Sequence, residues 1–485
     1  IYRKKIRAAR SAFLDRNAAS ISKGCMKGGY VWWRRVKDFC NISTRKPLIP
    51  DLQDGDRRTN TQLEKVNLLA QHFANQCTLP QEANQFPCLD SSLDTTTPRF
   101  QMPTFSPGQV HYDLTHLSSR KSTSSNHIIP VPRSMADLVC ESLSYLFNSS
   151  LSTSQFPTAW KSATVIPLFK GKGSASLPTN YRPISLLHPI SRLFESRIAH
   201  QLNSFLYRNC IISPSQFAYV PQRSATDQLI LLTHQIARLS DRGQRFDCAF
   251  LDFQKAFDKV HHPTLLRHMN AFMAPEAHAW FGSYLLDRSL NVKLDGTHSS
   301  QYMLNCGVPQ GSYLAPPLFL LYINSLPDIV NHTSPFLFAD DVTLLNAHNV
   351  SLSLDENMSH LQQDLASCQN WAQNIHGKFS PEKTFIFSNH DIPDSSSVLM
   401  DGVPIAFGRS AKHLGVQLSD GLKFHDHFHT IFRKFQQRVN LLCFMGRHLP
   451  SSHILLLYKS YVRPAIEYAI PVWSFKITSA QLESL

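Results

Sequence analysis

Phe338-Ala339-Asp340-Asp341 sets two adjacent carboxylates between two runs of strand formers, Ser334 to Phe338 and Val342 to Leu345. Strand, acidic pair, strand predicts a β-hairpin with its charges at the tight turn. Two carboxylates crowded together repel, and each resists desolvation, unless a cation neutralises them. Mg²⁺ suits such a position, being a hard ion that takes oxygen ligands. Asp also favours turns for its own hydrogen bonding, so the pair alone does not separate a metal site from an exposed turn. The upstream segments do.

Cys248 to Phe253 is apolar and β-prone and carries a carboxylate, Asp252, near its end; Gln254 to Val260 reads as a turn entering a helix. Core packing does not explain an Asp at the end of a buried strand, since an unpaired buried carboxylate costs several kcal/mol. A metal shared with Asp340 and Asp341 removes the problem. Two such metals, roughly 3.5–4 Å apart, clamp the attacking and leaving oxygens of an in-line phosphoryl displacement. Between the carboxylate strands lies Gly307-Val308-Pro309-Gln310-Gly311-Ser312-Tyr313-Leu314-Ala315-Pro316. Its paired glycines allow close backbone approach to a ligand, and Gln310 offers a donor and an acceptor.

With these residues in view, the chain resembles the reverse transcriptase of non-LTR (LINE-type) retrotransposons. Phe250 to Asp258 resembles the family's first catalytic palm motif, Gly307 to Pro316 the second, and Phe338 to Asp341 the third. Asn180 to Leu187 resembles a finger-side motif, and Gln216-Phe217 with Arg223 to Gln228 the next. His413 to Val416 resembles the primer-grip hairpin. Leu457 to Pro464, Glu467-Tyr468 and Val472-Trp473 resemble the thumb segment. The resemblance runs in the family's order from about Trp32 to Trp473.

The resemblance implies templated DNA synthesis from dNTPs on an RNA template and a DNA primer. It implies two Mg²⁺ ions, with Mn²⁺ as a substitute, held at Asp252, Phe253, Asp340 and Asp341. Phe253 and Phe257 would border the substrate, Phe257 as the aromatic that excludes a ribose 2′-hydroxyl; packing as a core Phe is the other reading. Gln310 and Gly311 would contact the nucleotide or template. Arg182 and Arg223 are candidates for the triphosphate, because guanidinium forks suit phosphate oxygens. Lys383 matches a family lysine that would protonate the leaving pyrophosphate. Departures from the family pattern fall at Lys121 to Ile128, at Ala218 to Gln222 and at Ser380. None touches the carboxylates, yet they suit an alternative: a catalytically inactive remnant that only binds nucleic acid. An RNA-dependent RNA polymerase or an intron maturase would share the chemistry, and Phe257 weighs against both.

The net charge of +13 suits a polyanionic partner, and residues 1–46 hold 13 Lys/Arg against Asp15 and Asp38. That segment, with Trp32 and Trp33, reads either as a nucleic-acid-binding arm or as a solvated linker helix. Ten cysteines occur without a C-x-x-C pair, which speaks against a zinc knuckle and for a reducing compartment. His425, His427 and His429 alternate as on one strand face and are expected at the surface. No apolar run long enough to span a membrane occurs. The expected setting is intracellular, nucleus and cytoplasm, without secretion. An opening Ile in place of Met fits a piece of a longer product, with the endonuclease expected elsewhere on the same polyprotein and no RNase H domain expected. The expected fold class is α+β, a right-hand polymerase of fingers, palm and thumb whose antiparallel palm sheet is backed by helices. The expected divisions are 1–108 as basic extension and linker, 109–390 as fingers and palm, and 391–485 as primer-grip hairpin and thumb-like helices. Helices are predicted over Thr59 to Ala74, Pro189 to Tyr207 and Asp227 to Leu239, a strand over Thr164 to Phe169, and a core stripe through Leu361, Leu365, Cys368, Ala372 and Ile375.

Overall fold

The computed structural model describes residues 15, 18, 19, 21, 30–39, 49–55, 57–80, 98–116, 135–391 and 398–478. The finger departure at 121–128 and much of the basic first 46 residues lie outside them. The strands that frame the site are β1 (Ser162–Phe169), β2 (Tyr181–Leu186), β3 (Phe246–Asp252), β4 (Arg288–Leu294), β5 (Tyr302–Leu304), β6 (Ser334–Phe338), β7 (Asp341–Ala347), β8 (Phe385–Ser388), β9 (Ala406–Gly408), β10 (Ser410–His413) and β11 (Val416–Ser419). The helices used below are α1 (Tyr30–Phe39), α2 (Gln62–Gln76), α3 (Pro189–Arg208), α4 (Ala225–Asp241), α5 (Ala315–Ile323), α6 (Leu354–Asn374) and α7 (His425–Gly446).

A central sheet runs in the order β9-β8-β3-β7-β6. Its middle strand, β3, pairs antiparallel with both β7 and β8. A strand covered on both faces needs apolar residues on both, and β3 supplies them in alternation. Phe246 and Cys248 join one core with Leu229, Leu232 and Ile236 of α4 and with Val416, Leu418 and Trp473. Ala249 and Leu251 join the other, with α5 and with the stripe Leu361, Leu365, Cys368, Ala372 and Ile375 on and just past α6. That stripe is core, as its spacing predicts. Ser353 starts α6 with a capping box closed by Glu356, satisfying backbone N–H groups the first turn leaves without partners.

The outer sheet runs β2-β1-β4 and continues to Thr297–His298, with β5 also pairing with β4. Strands β1 and β4 are parallel, β1 and β2 antiparallel. Helix α2 lies against this sheet: Val66, Leu69, Ala70 and Phe73 pack with Leu52, Val165, Tyr181, Leu290 and Val292. The helix sits where its spacing predicts, but the division at residue 108 does not follow the packing. Segment 49–80 belongs to the outer sheet's core, because the stripe that makes α2 amphipathic has nowhere else to bury.

The predicted primer-grip segment is the two-residue hairpin β10–β11, with His413 opposite Val416. Leu414 and Gly415 both take positive φ, 42° and 86°, as the tight hairpin turn matching strand twist requires. Tyr468 donates its hydroxyl to the Leu414 carbonyl at 2.6 Å, tying the C-terminal helices to the hairpin tip. The alternating histidines correct an expectation. They open α7 and do not form a strand, and His427 is buried edge-on to Trp473. Burial there pushes its imidazole down to about 4. Among the described residues no helix is long and apolar enough to cross a membrane.

Candidate active site

Three carboxylates meet at one end of the central sheet. Asp252 ends β3, Asp341 begins β7, and the two are register partners across the antiparallel pair. Asp340 precedes Asp341 in the turn of the β6–β7 hairpin. Like charges directly opposite on adjacent strands are destabilising, so this pairing works against the fold unless a cation is present. The side chains register that strain. Burial pushes the Asp341 carboxyl up to about 6, and the charges of Asp340 and Asp252 add to the effect. Burial also raises Asp340, with Asp252 contributing. Lys383 answers one of the three charges, its Nζ lying 2.8 Å from Asp252 Oδ2.

The turn itself is strained and held from outside. Ala339 is buried with φ of 54°, a left-handed conformation that non-glycine residues rarely take. Gln216 Oε1 accepts the Ala339 N–H at 3.0 Å and the Ala218 N–H at 2.9 Å. Ser215 and Phe217 each exchange a backbone hydrogen bond with Leu337 of β6. The finger-side motif Gln216-Phe217 thus runs alongside the hairpin that carries the carboxylates.

Beyond Asp252 the chain is tied to the segment before β8: the Ser380 N–H reaches the Asp252 carbonyl at 2.9 Å, and the Gln254 N–H the Lys378 carbonyl at 2.8 Å. That brings Lys383 beside Asp252. It also turns the Phe253 ring into the core, against Phe379 and Trp371, so any contact of Phe253 with a metal or substrate falls to its backbone. Phe257 is half-buried; its ring stacks on Phe319 at 4.5 Å while it borders the cleft. Phe257 thus packs as a core Phe on one side and reaches the cleft on the other.

The cleft in front of the carboxylates has a volume of about 750 Å³. Asp252, Asp340, Phe253, Phe257, Gln310, Gly311, Arg182 and Lys383 all line it. Gly311 has φ of 126°, and a Cβ there would lie 2.7 Å from the Ser185 carbonyl oxygen, so the position needs glycine. Arg223 is not among the lining residues. Its guanidinium donates to the carbonyls of Pro214 and Gln216, both at 2.7 Å, and lies over the Phe217 ring. Those contacts brace the finger loop.

Sequence reasoning missed three cleft residues. Lys170 and Lys255 line it with Arg182 and Lys383, a cationic wall facing the carboxylates. Burial lowers both lysines, and the neighbouring cations lower them further. Asp258 accepts Gln310 Nε2 at 2.7 Å, and burial raises its carboxyl. The Asp in Ala256-Phe257-Asp258, six residues after Asp252, gave a signal for Asp258; for Lys170, the signal was its place just past a strand beside glycines.

Among the described residues the group whose ligand atoms lie close enough together to hold a metal ion is Asp247, His348 and His390, all buried at the opposite end of β3. Asp247 Oδ2 meets His348 Nε2 at 2.5 Å and Oδ1 meets His390 Nε2 at 3.1 Å, and the Ser388 hydroxyl donates to Oδ1. The Nδ1 of His390 faces the Asp391 carbonyl at 3.1 Å. Both ring nitrogens of His390 thus face acceptors, as imidazolium requires. These contacts describe a buried ion pair with hydrogen bonds.

Residues 170–418 match the reverse transcriptase (RNA-dependent DNA polymerase) family. The chain is 26% identical to a probable RNA-directed DNA polymerase from transposon BS of Drosophila melanogaster, over 98% of this chain and 54% of that protein. It is 28% identical to the RNA-directed DNA polymerase from mobile element jockey of the same fly, over 96% of this chain and 52% of the relative. A probable RNA-directed DNA polymerase from transposon X-element, again of Drosophila melanogaster, matches at 26% over 92% of this chain and 50% of the relative. The chain spans about half the length of these relatives. The matched residues take in the central sheet, most of the outer sheet and the β10–β11 hairpin. With its carboxylate triad, cleft and hairpin all in the expected order, the chain belongs to the reverse transcriptase family.

Proposed function

We propose that this chain is the polymerase portion of a non-LTR retrotransposon protein, extending a DNA primer on an RNA template with dNTPs. The observation that carries the reading is the register of Asp252 against Asp341, with Asp340 at the adjoining turn, in front of a cleft with a cationic wall.

The donor set fits Mg²⁺: three carboxylates, no sulfur or imidazole, and a charge excess that Lys383 answers only in part. Asp252 and Asp340 would hold two ions, with Asp341 and the Phe253 carbonyl beside them. When bound, the ions supply positive charge to the primer hydroxyl and the triphosphate. The chain's own residues do the rest. The primer 3′-oxygen forms the new bond to the α-phosphorus as its proton passes to solvent, and the bond from the α-phosphorus to the pyrophosphate oxygen breaks. Lys170, Lys255 and Arg182 offset the triphosphate charge, in keeping with phosphoryl transfer as positioning plus electrostatics. Lys383 gives a proton to the departing pyrophosphate. Phe257 crowds the sugar's 2′ position, and Gln310, its amide held by Asp258, meets the nucleotide or template.

The test is extension of an oligo(dT) primer on poly(rA) with Mg²⁺ and dTTP. Incorporation that needs the RNA template, and that disappears in Asp340→Asn, supports the reading. A folded protein that binds the primed template and incorporates nothing favours the inactive remnant.

A further inference from the structure

Beneath the Gln310 loop sits a carboxyl group that belongs to neither the metal set nor the cleft. Glu195, on α3, is fully buried. Its Oε2 accepts the Ser312 hydroxyl at 2.5 Å and its Oε1 the Ser191 hydroxyl at 2.7 Å. Its hydrogen-bond partners are therefore two hydroxyls, and burial raises the carboxyl's pKa. Burying such a group is costly, and the nearby charges of Arg288 and Arg192 offset only part of that cost, since the carboxyl stays raised. What an apolar side chain cannot supply is direction.

The proton count at Ser312 makes that direction explicit. A hydroxyl has one proton and two lone pairs. The proton goes to Glu195. The lone pairs receive the Leu314 N–H at 2.9 Å and the hydroxyl of buried Tyr284 at 2.9 Å. Ser312 is thus saturated and its rotor fixed. It is also covalently next to Gly311 and one residue from Gln310, both lining the cleft. The same loop is pinned from the finger side, where the Ser185 N–H donates to the Gln310 carbonyl at 2.9 Å.

We infer that Glu195 is a positioning residue for nucleotide binding, holding the Gln310–Ser312 loop in place through Ser312; the inference rests on the polymerase reading above. A loop fixed from beneath in its ligand-ready shape loses less entropy when the nucleotide binds. The effect should therefore fall on the KM for dNTP more than on kcat.

The experiment is steady-state extension of oligo(dT) on poly(rA), varying dTTP, with the melting temperature of each variant measured alongside. Ser312→Ala and Glu195→Leu should each raise KM about five- to tenfold, the effect of one lost hydrogen bond of ordinary strength, with kcat within threefold. The double variant Glu195→Leu/Ser312→Ala should be no worse than the worse single, because both cut one link. Glu195→Gln should stay near wild type, since its amide oxygen still accepts from Ser312 and Ser191 can turn to accept the amide N–H. An additive double variant, or an unchanged KM in Ser312→Ala, overturns the inference, and the Ser312→Ala result stands even should Glu195→Leu fail to fold. A folded wild type without incorporation overturns the polymerase reading and this inference together; an active wild type with an unchanged Ser312→Ala overturns this inference alone.

Discussion

Phe257 has one ring with two surroundings. It stacks on Phe319 and so is anchored, and it borders the cleft and so presents an edge to whatever binds there. Phe257→Val keeps an apolar side chain but removes the ring edge. Its ratio of rNTP to dNTP incorporation should rise on the order of tenfold or more, the scale on which a pocket discriminates one hydroxyl; an unchanged ratio in a competition assay would remove the gate role. Gly311 gives a second test. Gly311→Ala forces a Cβ into the Ser185 carbonyl, so the loop must shift and nucleotide KM should rise, whereas a wild-type KM would mean that the loop is not held as described. At this scale the carboxylates were legible in the sequence because each interrupts or ends a strand, where an acid has no packing reason to be. Lys170, Lys255 and Glu195 were not. Their roles arise from distant segments meeting, and Glu195 comes to Ser312 from 117 positions away. Arg223 looked like a phosphate ligand by type, and the carbonyls of Pro214 and Gln216 claim it.

At the scale of elements, β3 carries charge at both ends. The far end holds Asp247 between two histidines, and its titration sets a stability window. Burial opposes ionisation of Asp247, but its bonds to His348 and His390 prevail and bring the carboxyl from 3.8 to about 2. That contribution, about 2 kcal/mol at 1.36 kcal/mol per unit, is present above pH 3.8 and is lost as pH falls toward 2. Burial likewise opposes charge on His390, and the hydrogen bond to Asp247 outweighs it, raising the imidazole above 6.5. Its contribution is complete below pH 6.5 and fades as pH rises through the raised value. Urea midpoints should therefore fall as pH rises above 6.5 in the wild type, and that fall should be shallower in His390→Gln; parallel profiles would contradict the ion pair. The β10–β11 hairpin was legible through the resemblance of His413 to Val416 to a primer-grip hairpin. What ties it down was not, because the Tyr468 hydroxyl arrives from 54 residues on. Tyr468→Phe should cost about 1 kcal/mol, the worth of one hydrogen bond, and loosen primer binding. A melting curve and primer affinity both unchanged would show the latch to be idle.

Over the whole molecule, α1, a helix of the basic N-terminal segment, is more integrated than composition implied. Trp32 and Val36 of α1 are buried with Met445, Leu449 and Leu457 of the thumb region, while Arg34 and Lys37 face outward. Neither a free arm nor a solvated linker describes α1: its apolar side is thumb core and its other side is charged. The cue was present in the helical spacing of Trp32 and Val36, but sequence could not name the partner. Nucleic-acid affinity is expected to fall with salt on a log–log slope of about −0.7 to −0.9 per phosphate contact. The overall order of fingers, palm and thumb was legible because the motifs are short, local and ordered. The domain limits were not, because α2 is placed by an outer sheet whose strands lie more than 80 residues later.

If Asp252, Asp340 and Asp341 form one metal-dependent catalytic unit, as proposed above, single-turnover dTMP incorporation on primed poly(rA) will show it. Wild type is compared with Asp252→Asn, Asp340→Asn and the double variant, each shown to fold and to bind the primed template. Each single variant should lose at least about a thousandfold in rate and the double variant little more, as residues acting as a unit do. Full activity in either single variant would contradict it.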